Sequence, residues 1–230
     1  MKLKHLVFTL LCAPVIFFHS CQSEISGEFP PNDGPQVNDA EKVTASITGV
    51  VVNENDVPVA GVTVNSHGSS VTTNNLGMFR IKNIEMSKAN ATVKVEKSGY
   101  FTAYRTFPAT AGRTHSVRIK LIPKTNSGNF PAATGGTITI AGGGKMVMPA
   151  NAVSDAAGNP YTGTVNVAMA WINPMAADLN STIMGDLRGI TTSGQERALE
   201  TYGMLGVELT GSGGQKLNIA TGKTAELTFP

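Results

Sequence analysis

Residues 47–64, ITGVVVNENDVPVAGVTV, decide the fold class of this chain. Residues 47–52 and 57–64 are short runs rich in β-branched side chains, and the polar residues 53–56 separate them. β-Branched residues favour extended strands, and Pro58 fits a strand only near its start because it has no N–H to donate to a ladder. The stretch therefore predicts two β-strands joined by a turn.

The rest of the first half continues this pattern. Residues 92–97 and 116–121 alternate apolar and polar side chains, and residues 74–77 (NNLG) tolerate the positive φ angles of a tight turn. Alternation with a period of two gives each strand one buried and one solvated face. These runs therefore predict a β-sandwich in which residues 71–73 and 78–81 form a hairpin.

The second half contains its own set of predicted strands. Residues 135–140, 145–153 and 164–171 are strand-like, and residues 206–219 are typical of a hairpin around the turn GSGG. Trp171 falls on the apolar face of its run and is predicted to belong to the core. A composition rich in Gly, Val and Thr, without a sustained 3.6-residue period beyond the N-terminal segment, favours the same all-β class.

The predicted fold is thus all-β, with two consecutive β-sandwich domains at residues 45–123 and 135–230. Residues 124–134 are polar and are predicted to be a linker. Little apolar surface should cross such a linker, so the two sandwiches are expected to be independent. The sequence stops at Pro230 within an alternating run, and we expect the second sandwich to be truncated there and to need a further strand.

The N-terminal segment is typical of a secretion signal. Two lysines precede an apolar run at residues 6–18, which is too short for a permanent membrane span, so residues 1–20 are predicted to be a signal peptide. Ser20 followed by Cys21 resembles the lipobox of Bacteroidetes-type lipoproteins, which implies cleavage before Cys21 and its lipidation. The alternative is cleavage by signal peptidase I, for example after Ser23, which leaves a periplasmic or secreted protein.

The mature chain would be electrically neutral. Removing the two lysines of the signal peptide from the 18 basic and 16 acidic residues leaves sixteen of each. Scattered charges without a basic face argue against a nucleic-acid partner. Residues 21–44, rich in Ser, Gly, Pro, Asn, Asp and Glu, are predicted to be the lipidated cysteine and a flexible tether.

The first predicted sandwich is similar to a known family. Residues 47–64, together with TTNNLGMFRI (72–81), VKVEKSGYFTAYRTF (93–107) and VRIKLIP (117–123), resemble the carboxypeptidase regulatory-like domain. The resemblance implies a transthyretin-like β-sandwich. It also implies an accessory role, because the zinc site of carboxypeptidases lies in a different domain.

The second half resembles another type of β-sandwich. GGTITIAGGGKMVMPANAV (135–153) is similar to the sandwich shared by ankyrins, netrin receptors and zonula occludens proteins. IMGDLRGITTSG (183–194) and ALETYGMLGVELTGSGGQKLN (198–218) resemble the matching segment of cartilage intermediate layer protein. Some eukaryotic relatives cleave themselves next to a histidine, and no histidine follows His115 in this sequence.

The sequence predicts no catalytic residue, metal site or cofactor. His67 and His115 are the only histidines after the signal peptide, and no His-x-x-Glu pair is present, so a catalytic zinc has no support. The acidic residues of the second half lack the dense Asp-x-Asp spacing of calcium loops and are predicted to be solvated: Asp178, Asp186, Glu196, Glu200 and Glu208. We therefore expect that the protein is not an enzyme.

These features favour a non-catalytic, lipid-anchored cell-envelope protein that uses its β-sandwiches for structural or adhesive interactions. Its partners would be the membrane, through the lipid on Cys21, and a protein of the envelope. The expected location is the outer membrane, with the periplasm or the medium as the alternative. A second hypothesis is a glycan-binding component of a nutrient-uptake system, with Tyr100, Tyr104 and Phe107 as ligand-binding rings.

Overall fold

The computed structural model describes residues 41–185 and 187–230, and nearly all of its regular structure is β-strand. The predicted all-β class with β-sandwich architecture is confirmed. The predicted signal peptide, Cys21 and most of the predicted tether lie outside the described residues. Within the described ranges, no helix has the length and apolar character that a membrane span requires.

The first sandwich contains the strands β1 (Lys42–Val52), β2 (Thr63–Ser66), β3 (Ser69–Thr72), β4 (Met78–Ser87), β5 (Ala91–Glu96), β6 (Ala103–Phe107) and β7 (Thr114–Lys120). One sheet has the order β4-β1-β7 and the other has the order β3-β2-β5-β6. Side chains of both sheets, including those of Ile47, Val64, Val93 and Ile119, form one buried core. The alternation predicted for residues 92–97 is confirmed in β5, where every second residue is buried.

β1 is longer than predicted and takes in the end of the predicted tether. It starts at Lys42, which pairs with Ser87, and the next pair joins Val43 to the buried Met86. The sequence of residues 42–46 alternates only weakly. The ten-residue β4 nevertheless pairs with these residues. This pairing, rather than local propensity, determines where β1 starts.

The predicted hairpin between residues 71–73 and 78–81 is wrong, because β3 and β4 belong to different sheets. The turn itself is present: the Asn74 side-chain oxygen accepts hydrogen bonds from the N–H groups of Leu76 and Met78 at 3.0 and 2.9 Å. It carries the chain from one sheet to the other, where β4 pairs with β1. Turn chemistry therefore identified the reversal but not the partners of the two strands.

Residues 57–62, predicted as the first part of a strand, are irregular, and β2 begins only at Thr63. Gly61 has a positive φ of 63°, which interrupts extended geometry. The buried Thr73 hydroxyl compensates by donating to the Val59 carbonyl oxygen at 2.7 Å and accepting from the Val62 N–H at 3.0 Å. A tertiary contact thus satisfies backbone groups that a sheet would otherwise pair.

The second sandwich contains β8 (Asn126–Pro131), β9 (Gly136–Thr139), β10 (Lys145–Met148), β11 (Val153–Ser154), β12 (Thr164–Ile172), the short helix α1 (Leu179–Thr182), β13 (Arg188–Ile190), β14 (Glu196–Ala198), β15 (Met204–Gly211), β16 (Lys216–Ile219) and β17 (Glu226–Thr228). Its facing sheets have the orders β17-β10-β9 and β11-β16-β15-β12-β8. Among the residues that the structure describes, β13 pairs with β14 alone. The predicted hairpin around GSGG is confirmed in β15 and β16.

Two predicted boundaries of the second half need correction. Residues 126–131, assigned to the linker, form β8, which pairs with β12 and buries Phe130. The polar sequence NSGNFP does not predict a strand, because Phe130 is its only large apolar residue. The single strand predicted at 145–153 is divided into β10 and β11, which lie in different sheets, with Asn151 at a positive φ of 55° between them.

Trp171 is half-buried rather than a member of the central core. Val165, Val167 and Met169 on the same face of β12 are buried, as predicted. The Trp171 ring lies near the end of the strand, where it contacts the ring of Phe229 edge-on with 6.2 Å between the centroids. The buried face of β12 was therefore predicted correctly, but the burial of Trp171 was overestimated.

Candidate functional site

The connection between β12 and β15, residues 173–203, runs against the first sandwich, and we call it the crossing segment. It contains α1, β13 and β14. Helix α1 contacts β7, and the buried Ile183 follows this helix directly. The crossing segment thus covers part of the first sandwich with residues that are distant in sequence.

Arg105 is one of two deeply buried basic residues at this junction, the other being Lys120. Arg105 lies on β6, on the same core-facing side of the strand as Ala103 and Phe107, and only 8% of its surface is exposed. Its guanidinium donates to the carbonyl oxygen of Ile183 at 2.5 Å, to that of Gly185 at 3.5 Å, and to that of Ser181. A planar guanidinium presents several donors in a fixed arrangement, so one side chain satisfies several carbonyl groups of the crossing segment.

A second basic residue, Lys120 at the end of β7, lies between two carboxylates. Its ammonium group is 3.0 Å from the Asp56 carboxylate and 2.5 Å from that of Asp178 in the crossing segment. The hydrogen bonds from Lys120 and then Arg118 lower the pKa of Asp56, and the bond from Lys120 lowers the pKa of Asp178. The same two carboxylates, Asp178 first, raise the pKa of Lys120.

Further contacts extend the junction. Arg188 of β13 donates to the Ala89 carbonyl oxygen at 3.3 Å, and Lys124 forms a 2.8 Å ion pair with Glu208 of β15. Polar groups therefore connect the two sandwiches at this junction, whereas their independent folding, expected from the sequence, stays a prediction. Sequence reasoning missed Arg105 as a functional residue. The sequence could have indicated this residue, because a charged side chain on the core-facing side of an alternating strand must have a partner.

The pKa directions predict an acid-sensitive junction. Folding lowers the pKa values of Asp56 and Asp178. Their ion pairs therefore stabilise the fold at pH values above the ordinary aspartate pKa of about 3.9. This contribution is lost as the pH falls through the lowered pKa values. We expect Asp178→Asn to reduce the free energy of unfolding at pH 7 by at most about 1 kcal/mol, since solvent screens the half-exposed carboxylate.

This prediction is checked by urea unfolding of the wild type and Asp178→Asn between neutral and acidic pH. The difference between the two should shrink as the pH falls. The exposed Glu226→Gln serves as the control and should leave the pH profile of the wild type unchanged. A difference that persists undiminished in acid would show that Asp178 does not act through its charge.

The three rings predicted to bind a ligand do not form one platform. Tyr100 and Phe107 pack against the core of the first sandwich, and the Phe107 ring lies 5.0 Å from that of His115. Tyr104 lies on the opposite face of β6 from Arg105 and is 38% exposed. Strand alternation separates Tyr104 from Phe107, so only Tyr104 presents a surface on which a sugar could stack.

His67, His115 and Glu196 have structural contacts. His67 lies in the turn between β2 and β3, and its Nε2 accepts from the Ser87 N–H at 3.4 Å, while burial lowers its pKa. His115 Nε2 accepts from the Thr110 N–H at 3.0 Å. Glu196 pairs with Arg188 at 3.2 Å, and Asp186 lies outside the described residues. Across residues 41–185 and 187–230, no group of three His, Cys, Asp or Glu side chains could hold a metal ion.

The second core opens to the surface in a groove of about 390 Å³ between the two sheets. Apolar side chains of β10, β15, β16 and β17 line it, together with Asn218, and Glu208 and Lys216 are its charged lining residues. One carboxylate and one ammonium group on neighbouring strands do not provide the nucleophile, base and orienting group that nucleophilic catalysis needs.

Comparison with known proteins agrees with this description. Residues 46–122, the first sandwich, match the family model of the carboxypeptidase regulatory-like domain. The chain is also 33% identical to human cartilage intermediate layer protein 2 over 70 residues (30% of this chain, 6% of that protein) and 29% identical to the mouse protein over 120 residues (49% of this chain, 10% of that protein). It thus spans a tenth or less of these relatives. The predicted resemblances to the carboxypeptidase regulatory-like domain and to cartilage intermediate layer protein are confirmed, whereas the resemblance to the sandwich of ankyrins, netrin receptors and zonula occludens proteins stays a prediction.

The similarity to solved structures is low. The Bacillus anthracis TIE protein is 12% identical, with a TM-score of 0.30, over 81% of this chain and 31% of that one.

Proposed function

We propose that this chain is a non-catalytic, lipid-anchored protein of the cell envelope whose two β-sandwiches act together as one structural or adhesive unit. The observation that carries the proposal is the buried Arg105 guanidinium, which binds the carbonyl groups of the crossing segment. Two sandwiches fixed to each other present one surface of defined shape, which suits a spacer or an adhesive better than two modules on a flexible linker would.

The location is proposed from the N-terminal sequence. A signal peptide, the Ser20-Cys21 pair and a polar tether are the parts that a surface lipoprotein needs. Gln22 is not the aspartate associated with retention in the inner membrane, which favours the outer membrane. A periplasmic or secreted protein is the alternative if signal peptidase I cleaves the chain.

A protein partner in the envelope suits the geometry better than a glycan. Only Tyr104 of the three predicted rings is exposed, and a single ring offers one stacking surface. Glycan-array binding by the wild type that is lost in Tyr104→Ala would favour the glycan-binding alternative. We expect no such binding.

The lipid anchor is tested by Cys21→Ala. We expect this substitution to abolish both incorporation of radioactive palmitate and partition into the membrane fraction, because it removes the thiol that would be acylated. Ser23→Ala is the matched control: it alters the alternative cleavage position but leaves Cys21 in place, and it should label as the wild type does. An unlabelled wild-type protein, or a Cys21→Ala variant that remains in the membrane, would contradict lipid anchoring.

A further inference from the structure

The first and last strands of the first sandwich lie side by side and run in the same direction. β1 pairs with β7 in parallel from Ser46↔Thr114 to Val52↔Lys120. Hydrogen bonds close both ends of this ladder: the Ser46 N–H donates to the Arg113 carbonyl oxygen at 2.9 Å, and the Leu121 N–H donates to the Val52 carbonyl oxygen at 2.8 Å. The chain therefore comes into the sandwich at one end of the ladder and leaves it at the other.

This arrangement determines how the sandwich would respond to tension. A force between the N-terminus and the second sandwich pulls β1 and β7 in opposite directions along their own lengths. Every hydrogen bond of the ladder is then strained at the same time, since neither strand can move without sliding past the other. Where the two ends leave from the same side of a ladder, by contrast, the bonds open one after another under a smaller force.

Other contacts hold the two strands that would receive this force. β1 is the central strand of its sheet and is also paired with β4, so the ladder to β7 is one of two that retain it. Asp56, in the turn after β1, binds both Arg118 at 2.8 Å and Lys120 at 3.0 Å on β7. Lys120 also contacts Asp178 of the crossing segment, which connects the end of β7 to the second sandwich.

We propose that the paired strands β1 and β7 are a mechanical clamp that resists tension between the N-terminal anchor and the second sandwich. The clamp rests on the proposed function in one respect: a lipid anchor and a distant attachment would supply the tension. The shear geometry itself is a property of the fold and can be tested on the purified protein.

The test compares two pulling directions in the mature chain carrying Cys21→Ala, which leaves no native cysteine. Glu41→Cys with Thr125→Cys attaches handles at opposite ends of the ladder and loads it in shear. Glu41→Cys with Ala111→Cys attaches both handles at the same end, because the neighbouring Gly112 N–H donates to the Thr44 carbonyl oxygen at 2.8 Å. All three positions are exposed. Rupture forces are measured with optical tweezers or an atomic force microscope.

We expect the rupture force in the shear direction to be severalfold higher than in the other direction. Both variants should have the same urea midpoint, which shows that they fold equally well and that only direction differs. Equal rupture forces, or a lower force in the shear direction, would overturn the clamp. Such a result would leave the lipid anchor intact, because palmitate labelling tests the anchor separately.

Discussion

Arg105→Met should lower the free energy of unfolding by about 3 kcal/mol, the loss expected when a buried charged group is removed from its partners. Methionine keeps much of the aliphatic length of arginine but has no donor. The carbonyl groups of Ser181 and Ile183 in the crossing segment would therefore lose the hydrogen bonds that the guanidinium provides. Because these bonds join the two sandwiches, the variant should also unfold in two steps. Urea unfolding followed by circular dichroism measures both effects.

Two further variants separate the hydrogen bonds of Arg105 from its charge. Arg105→Lys retains a positive charge but lacks the planar set of donors, so we expect an intermediate loss. Arg80→Met changes the same residue type at an exposed position of β4 and should cost less than about 0.5 kcal/mol. If Arg105→Met were as stable as Arg80→Met, the buried guanidinium would not hold the junction together.

Gly49→Val should cost about 3 kcal/mol, at the upper end of the range for an overpacked site. A Cβ atom at Gly49 would lie 2.6 Å from Cε1 of Phe79 and 2.6 Å from the carbonyl oxygen of Val117. Both distances are far shorter than a van der Waals contact, and the oxygen belongs to the backbone of β7. The side chain can therefore be accommodated only if β1 and β7 separate.

The sign of this effect distinguishes packing from propensity. Valine favours strands more than glycine does, so local propensity alone predicts that Gly49→Val stabilises β1. Gly185→Val is the control, because a Cβ atom there has no neighbour within 4 Å, and we expect a change of less than about 1 kcal/mol. A neutral or stabilising Gly49→Val, measured by urea unfolding, would contradict the close approach of β1 and β7.

The sequence predicted the fold class because alternation is a local property. β5 follows it closely, and so does β12 from Val165 to Met169, where every second residue is buried. Pairing between strands is not local. Nothing in the turn at residues 74–77 indicates that β4 joins β1 rather than β3, and the polar β8 is a strand only because β12 lies beside it.

The contacts of the junction could not be predicted from the sequence for a related reason. Arg105 is on the core-facing side of β6, which indicates that its charge needs a partner. That partner is a set of backbone carbonyl groups nearly eighty residues further along the chain, and carbonyl groups have no sequence signature. For the aromatic residues, closeness in sequence was misleading. Tyr100 and Phe107 pack against the core, whereas Tyr104 lies on the opposite face of β6.

The claim that the two sandwiches form one unit has a direct test in the unfolding of the wild-type protein. Trp171 is the only tryptophan in the chain and lies on β12, so its fluorescence reports on the second sandwich, whereas far-UV circular dichroism reports on the strands of both. We expect the two urea transitions to coincide at pH 7, because the contacts of Arg105 and Lys120 link the unfolding of one sandwich to that of the other. A biphasic dichroism curve, of which the Trp171 signal follows only one phase, would contradict it.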